Sequence, residues 1–483
     1  MKTWIYFLLL FTLVEGCIED NGNYKYSALN TIEITGITAD TTFRVDQFDT
    51  LRLDPALRFS AGELTDLSYE WKINHEVVST ERVLNAEIPI TPSASLTYYL
   101  ASLGVTDNAT GLKYYKNFRV IVTTSVTNGL FVLSEQADET AKLSFQRRDK
   151  PNALFVHDLF ENANPTSGAL GKKPRQVYYQ GAWDKQLGVV CEEGERVISQ
   201  LNPATLELIR YYSKETIRGG YNGIFAPGYL VFYMGGMVAS EGKLFSYDFR
   251  SNGSIFRPIP LQEGTYEFAN WVDTNEAIDY YAWVSYDNKG EQFVLLEPGN
   301  IALVYDKISP IPVANNLSTT GQRFLAAGTY DYQLKAVILY NSAEQKAYLY
   351  SVYINYDFDA EWNIFINKTV TRLSEQTNLI NEQSVCFYNA EYWYIANGST
   401  VKRLHEKSTI PNDWFTAPKG NVTTMITKTG SSAAGTNRLF IATYDGAKSY
   451  IYEIDLVTKQ QLNEPLEIDG KVVSLLAKGT WSY

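Results

Sequence analysis

Among the side chains able to do chemistry in this 483-residue chain, carboxylates come first. Asp357, Asp359 and Glu361 alternate along the chain, so they share one strand face or line one loop. Two carboxyl groups at a suitable separation are what a glycosidase needs. A row of oxygen donors also suits Ca2+, and the same residues equally make a plain solvated loop. Imidazole offers less. His75, His157 and His405 are far apart, with no His-x-x-x-His pair among them, which argues against a zinc or manganese centre. A serine triad would need one of them beside a Gly-x-Ser-x-Gly elbow, and the chain has none. Ser285-Tyr286-Asp287-Asn288-Lys289-Gly290 approaches the Ser-x-Asp-x-Gly-x-x-Trp box of sialidase-type repeats but has one residue too many and no Trp, and reads as a hairpin turn. Asp248 to Gly253 has the glycine of a calcium loop but Arg250 where an oxygen ligand belongs. These patterns assign no catalytic residue and no metal site; Ca2+ on Asp357, Asp359 and Glu361 is the one cofactor they leave open.

Binding chemistry has better material. Carbohydrates are held by flat aromatic faces against C–H-rich sugar surfaces, and Trp183, Trp271, Trp362 and Trp414 all fall near expected strand ends or loops. They are the candidate ligand-binding residues, although any one tryptophan in such a chain can equally pack between sheets. Trp283 and Trp393 fall inside strands and are assigned to the core.

The elements that must position these residues repeat. Tyr229 to Asp248 reads as a strand, a Gly-rich turn and a second strand. Relatives of that pattern start at Leu130, Leu187, Ala282, Ala336, Tyr392 and Arg438. Their starts lie roughly 42 to 57 residues apart, close to what one four-stranded propeller blade requires. This predicts a seven-bladed β-propeller over 129–483, although six or eight blades fit similar spacing. Phe324 to Thr329 and Ser431 to Thr436, rich in small residues, are expected as inner strands. Lys471 to Gly479 has no hairpin after it and is expected to pair with the blade begun at Leu130, since an open ring would leave strand edges exposed. Asn202-Pro203-Ala204-Thr205, Asp248-Phe249-Arg250-Ser251 and Asp455-Leu456-Val457-Thr458 form a shared turn, in which Asx and Ser or Thr side chains cap backbone N–H groups.

A formal charge of −12 repels phosphate backbones and excludes nucleic acid as a partner. Lys2 precedes an apolar run from Trp4 to Phe11, too short to span a membrane and right for a signal-peptide core over 1–16. Val14-Glu15-Gly16-Cys17 then resembles a bacterial lipobox, in which Cys17 is acylated and becomes the new N-terminus. Residues 17–23 are polar and acidic, a flexible tether whose acidic start resembles a surface-export signal. The expected location is therefore the outer membrane, anchored by lipid on Cys17 and facing the exterior. Cys191 and Cys386 lie in different hairpins and read as separate buried thiols.

From Tyr24 to about Thr124 the pattern has period two with closely spaced turns, which predicts an immunoglobulin-like β-sandwich with Trp71 as its core anchor. Gly22-Asn23-Tyr24-Lys25-Tyr26, Ile32-Glu33-Ile34-Thr35-Gly36-Ile37 and Tyr69-Glu70-Trp71 make Cys17 to about Val122 resemble the PKD-like family of lipoproteins from Bacteroidota. The resemblance implies an all-β protein in which a propeller follows the PKD-like sandwich. It also implies a genomic setting beside SusC/SusD-like transporter pairs and a surface accessory role in glycan or peptide uptake. It carries no ligand residues with it. The expected function is a non-catalytic binding or accessory component of such an uptake system, with a glycan or peptide ligand. Two rivals stand beside it: a propeller-type glycan-degrading hydrolase or lyase, which needs converging carboxylates, and a docking scaffold for the transporter, which needs a broad apolar patch.

Overall fold

The computed structural model describes residues 29–479 apart from 48, 89–97, 149–154, 181–184, 219–226, 234, 249–254, 257–261, 263, 275–282, 299–304, 312–317, 330–333, 358–360, 367–370, 374–384, 389–391, 406–407, 409 and 429–436. Strands dominate it, and the helices among the described residues are the short Leu159–Ala163 and Lys214–Arg218. None among the described residues is long and apolar enough to cross a membrane. The chain forms two compact units. One comprises Met1–Val45, Thr50–Ile88 and Tyr98–Ile121; the other comprises Asp46–Asp49, Pro89–Thr97 and Val122–Tyr483.

The first unit is the expected β-sandwich. Its main sheet holds five strands in the order Thr42–Asp46, Lys113–Thr123, Tyr99–Asp107, Leu67–Ile73, Glu76–Ser79. Ile32–Thr35 pairs with Ala56–Phe59, and Thr50–Leu53 pairs with Leu84–Glu87. Alternation decides which side is buried. Trp71, Ile73, Leu103, Val105, Phe118 and Val120 are inward and almost wholly buried, while the residues between them face outward. Trp71 is the expected anchor: its ring meets Phe118 edge-on at 6.2 Å, and its Nε1 donates to the Glu81 carbonyl at 2.8 Å. Asn74 and His75 both take positive φ, 51° and 70°, the geometry a two-residue hairpin turn requires.

The second unit contains seven antiparallel sheets of the propeller type among the described residues, each of four strands with a short fifth in one, and all but the first are meanders of consecutive strands. First strands of successive sheets lie against one another: Lys172–Gln180 on Pro227–Tyr233, Gln322–Thr329 on Val385–Tyr388, and that strand on Asn421–Lys428. They therefore surround a common axis. Apolar side chains make up most of the cores between sheets. Phe131, Leu133 and Phe145 of the first sheet pack with Leu187, Val189 and Cys191 of the second. Leu130 and Val132 pack with Phe440, Ala442 and Ile451 of the seventh. The expected closure is present. Lys471–Lys478 pairs with Gly129–Glu135, Leu130 opposite Ala477, so the last strand of the chain is the innermost strand of the first sheet.

One repeat is a strand out of register with the sequence reading. Leu130, Leu187, Ala336, Tyr392 and Arg438 all lie in the second strand of their sheets, but Tyr229 lies in the first strand of the third, Pro227–Tyr233. The Gly235-Gly236 pair is not the turn. It opens a strand, Gly235–Ser240, which pairs on one side with Pro227–Tyr233 and on the other with Lys243–Asp248. The tight turn is Glu241-Gly242, with φ of 47° and 73°. Glycine permits a turn without demanding one. Phe324 to Thr329 does lie in a first strand, with Ala326 and Ala327 buried. Ser431 to Thr436 lies outside the described residues, and the first strand of the seventh sheet is Asn421–Lys428. Asn202 accepts from the N–H groups of Ala204 and Thr205, and Asp455 from those of Val457 and Thr458, as the shared turn requires. The third such turn, after Asp248, lies outside the described residues.

Candidate functional site

The turns between second and third strands and the connections between consecutive sheets fall at one end of the propeller. There, between the sixth and seventh sheets, an open cleft of about 640 Å³ is lined by Ser399, Ala417, Pro418, Gly420, Asn421, Tyr444, Asp445 and Gly446. Its walls are backbone held in place by hydrogen bonds. Ala417 N–H donates to the Ser399 carbonyl at 2.8 Å and Val422 N–H to that of Gly398 at 2.8 Å, which ties the crossing segment to the sixth sheet. The Thr443 hydroxyl donates to the Lys419 carbonyl at 2.7 Å and Lys419 N–H to the Tyr452 hydroxyl at 3.2 Å, tying it to the seventh. Gly420 has φ +72°, and a Cβ there would fall 2.5 Å from the Tyr444 carbonyl carbon, so only glycine lets the crossing segment approach that strand.

Asp445 is the cleft's carboxylate. One oxygen accepts from the N–H groups of Ala447 and Lys448, each at 2.9 Å, and the other from the Tyr450 hydroxyl at 3.0 Å. The backbone N–H of Lys448, then that of Ala447, hold its carboxyl below the usual range. It is an anchored anion, suited to accepting further hydrogen bonds and unsuited to giving up a proton as a general acid near neutrality. The Lys419 ammonium lies 4.5 Å above the Tyr450 ring, and the Tyr444 hydroxyl donates to the Gly446 carbonyl at 2.7 Å. With the Ser399 hydroxyl and the Asn421 amide, the cleft presents hydrogen-bonding groups on a stiff frame.

Of the four candidate tryptophans, two have side chains among the described residues, and each packs between sheets. Trp271 is 3% exposed within the core between the fourth and fifth sheets, stacked on Phe324 at 5.9 Å, so packing and not ligand contact claims its ring. Trp414 is half-buried, edge-on to Tyr394 at 4.8 Å, in the core between the sixth and seventh sheets. Trp362 lies in the strand Glu361–Ile366, but its side chain, like Trp183 and Cys17, lies outside the described residues. Asp357 and Glu361 are direct partners across the last hairpin of the fifth sheet, and Asp359 lies outside the described residues. Among the described residues no three His, Cys, Asp or Glu side chains come together as a metal site. Trp283 and Trp393 are core residues, as expected. Cys191 is a buried free thiol, pushed well above its ordinary pKa by burial; the Cys386 side chain lies outside the described residues. Reading residues by type missed the cleft because its lining is turn chemistry. The signal was the Tyr444-Asp445-Gly446 run in the last repeat, which marks a hairpin turn and says nothing of what crosses beside it.

Fold and site together define an all-β protein, a β-sandwich followed by a propeller with a polar cleft at the end that bears the second-to-third strand turns. Residues 17–174 match the PKD-like family. The match starts at the cysteine singled out above, runs beyond Val122 through the three N-terminal strands of the first propeller sheet, and ends in the first strand of the second, Lys172–Gln180. The fold is shared with a quinoprotein alcohol dehydrogenase-like protein of Bacteroides thetaiotaomicron, with TM-score 0.53, 11% identity, and 94% of this chain and 100% of that one covered. A periplasmic gluconolactonase of Pseudomonas aeruginosa aligns with TM-score 0.48 and 10% identity, over 73% of this chain and 99% of its own. A Bacteroides uniformis protein described as a candidate 6-phosphogluconolactonase aligns with TM-score 0.46 and 11% identity, over 72% and 99%. No curated protein matches the chain in sequence.

Proposed function

We propose that this chain is a surface-exposed lipoprotein, anchored through Cys17, that serves as a binding or accessory component of an outer-membrane glycan or peptide uptake system, beside a SusC/SusD-like transporter. The cleft carries the reading. Its carboxylate has one oxygen engaged by N–H groups of its own turn and the other by the Tyr450 hydroxyl of the next strand, and its remaining polar groups are placed to hold a ligand. The family match beginning at Cys17 supports the anchored setting. Binding by the full chain to glycan arrays and peptide libraries, with analysis for products, is the direct test. Retention of ligand without turnover, weakened by Asn421→Ala, is the expected result. Release of cleavage products, abolished by one carboxylate substitution, would refute the non-catalytic reading. Mass spectrometry of the mature N-terminus tests acylation of Cys17, and an unacylated protein in the periplasm would remove the proposed setting.

A further inference from the structure

The outward face of the five-stranded sheet in the first unit sets exposed apolar and aromatic side chains on a floor of small residues. On the central strand Tyr99–Asp107 the outward residues Ser102, Gly104 and Thr106 are small, and Leu100 is 60% exposed. Gly104 lies between Tyr115 on one neighbouring strand and Glu70 on the other. A Cβ on Gly104 would sit 2.9 Å from Cε1 of Tyr115, so the tyrosine ring is pressed onto the glycine. Contact with the sheet occupies that side of the ring, and the side chain as a whole remains 56% exposed. Beside it, Lys72 Nζ and Glu70 Oε1 are paired at 2.7 Å, both side chains more than a third exposed. At the far end Arg119, opposite Leu100, lies 4.7 Å over the Tyr98 ring and 3.4 Å from Asp40.

We infer that this face binds a neutral oligosaccharide, with Tyr115 as the stacking platform. An aromatic ring backed by the sheet and open to solvent matches the apolar face of a pyranose. Leu100 and Gly104 are four residues apart on one strand, so the platform and the Leu100–Tyr98 end are separated by about 13 Å, the span of a short oligosaccharide. The polar groups are acceptors and donors for hydroxyls: Glu70 is paired with Lys72 and Arg119 with Asp40, and exposed Lys113, outward two residues before Tyr115, adds one ammonium donor within electrostatic reach of Glu70. A peptide adding as a strand is not served here: the strand beneath is central, its backbone paired on both sides. The inference rests on the reading of the chain as a binding protein but places the contact in the sandwich, apart from the propeller cleft.

The test is affinity electrophoresis and calorimetry of the full chain with a panel of neutral polysaccharides and oligosaccharides. Tyr115→Ala should weaken binding about tenfold or more, about 1.4 kcal/mol, while Tyr115→Trp retains it. Gly104→Ala, which displaces the ring but keeps Tyr115, should weaken binding in the same direction, with thermal melting confirming that each variant is folded. Unchanged binding in folded Tyr115→Ala overturns the inference, as does binding of peptides and no glycan at this face. Glycan binding lost in Asn421→Ala but kept in Tyr115→Ala would return the ligand to the cleft and leave the proposed function standing; no binding of any ligand by the parent would sink both.

Discussion

Removing residues 471–483 should open the propeller. Val472 is wholly buried and Leu475 is 7% exposed in the core shared by the first and seventh sheets. Each such side chain contributes about 1.5–3 kcal/mol by burial, so the two together contribute about 3–6 kcal/mol. The strand is also stitched to its surroundings: Val472 N–H donates to Ser449 Oγ at 2.8 Å, and Ser474 Oγ accepts from Val177 N–H at 3.2 Å. Its loss would leave Gly129–Glu135 as an unpaired edge inside the ring. The sum is comparable with the roughly 5–15 kcal/mol by which whole domains are stable. Thermal unfolding followed by near-UV circular dichroism, with limited proteolysis, is the assay. The truncated chain should melt at least about 5–10 °C lower, allowing that a large unit shifts by only a few degrees per kcal/mol. A synthetic 471–483 peptide added in excess should restore part of the loss by mass action. Melting of the truncated chain within about 2 °C of the parent would refute the reasoning.

Three further outcomes follow from buried chemistry. Glu453 lies between Arg148, at 2.8 Å, and Arg438, at 3.4 Å, with all three side chains under 15% exposed; Arg438 also holds Asp455 at 2.6 Å and Arg148 also donates to Gln146, so Glu453→Gln should weaken this charged cluster without emptying it and cost about 1.5–3 kcal/mol in chemical denaturation. Lys478 donates to the Val126 and Pro203 carbonyls among the rings of Phe131 and Tyr179, and burial, aided by Lys185, lowers its pKa to about 8 from 10.5. Because the folded protein releases this proton first, stability should rise as pH climbs from about 8, by up to about 3 kcal/mol across the full window. Tyr286 and Tyr350, raised chiefly by burial, work in the opposite sense above pH 10. Melting temperatures from pH 7 to 10 should therefore gain on those of Lys478→Met, and parallel curves would discount the buried amine. Cys191 should resist thiol reagents in the native protein and react once denaturant is added, read by mass spectrometry of the labelled peptide.

Local pattern carried the fold a long way. Period-two alternation around Trp71 and Phe118 specified which side of each sandwich strand is buried, because a strand with one wet face must put alternate residues inward. Reiteration of strand–turn–strand units specified the propeller sheets, and the solitary last strand specified its own partner, since no other closure removes the free edge. The failures came where one residue type serves two geometries. Gly235-Gly236 can turn or extend, and pairing with both neighbours decided for extension. Trp271 and Trp414 read as residues near strand ends but lie at the middle of Phe268–Thr274 and Asn412–Thr416, and the approach of the next sheet packs them into cores. The cleft was still less legible. Ser399, Asn421 and Asp445 belong to two sheets and the segment crossing between them, and nothing in the local sequence of any one records the others. Composition and spacing determine what each strand must bury and which strands must pair, because those are demands of backbone hydrogen bonds and water. Which polar side chains end up facing one another depends on how sheets rotate about a shared axis, a property that exists only once the ring is closed.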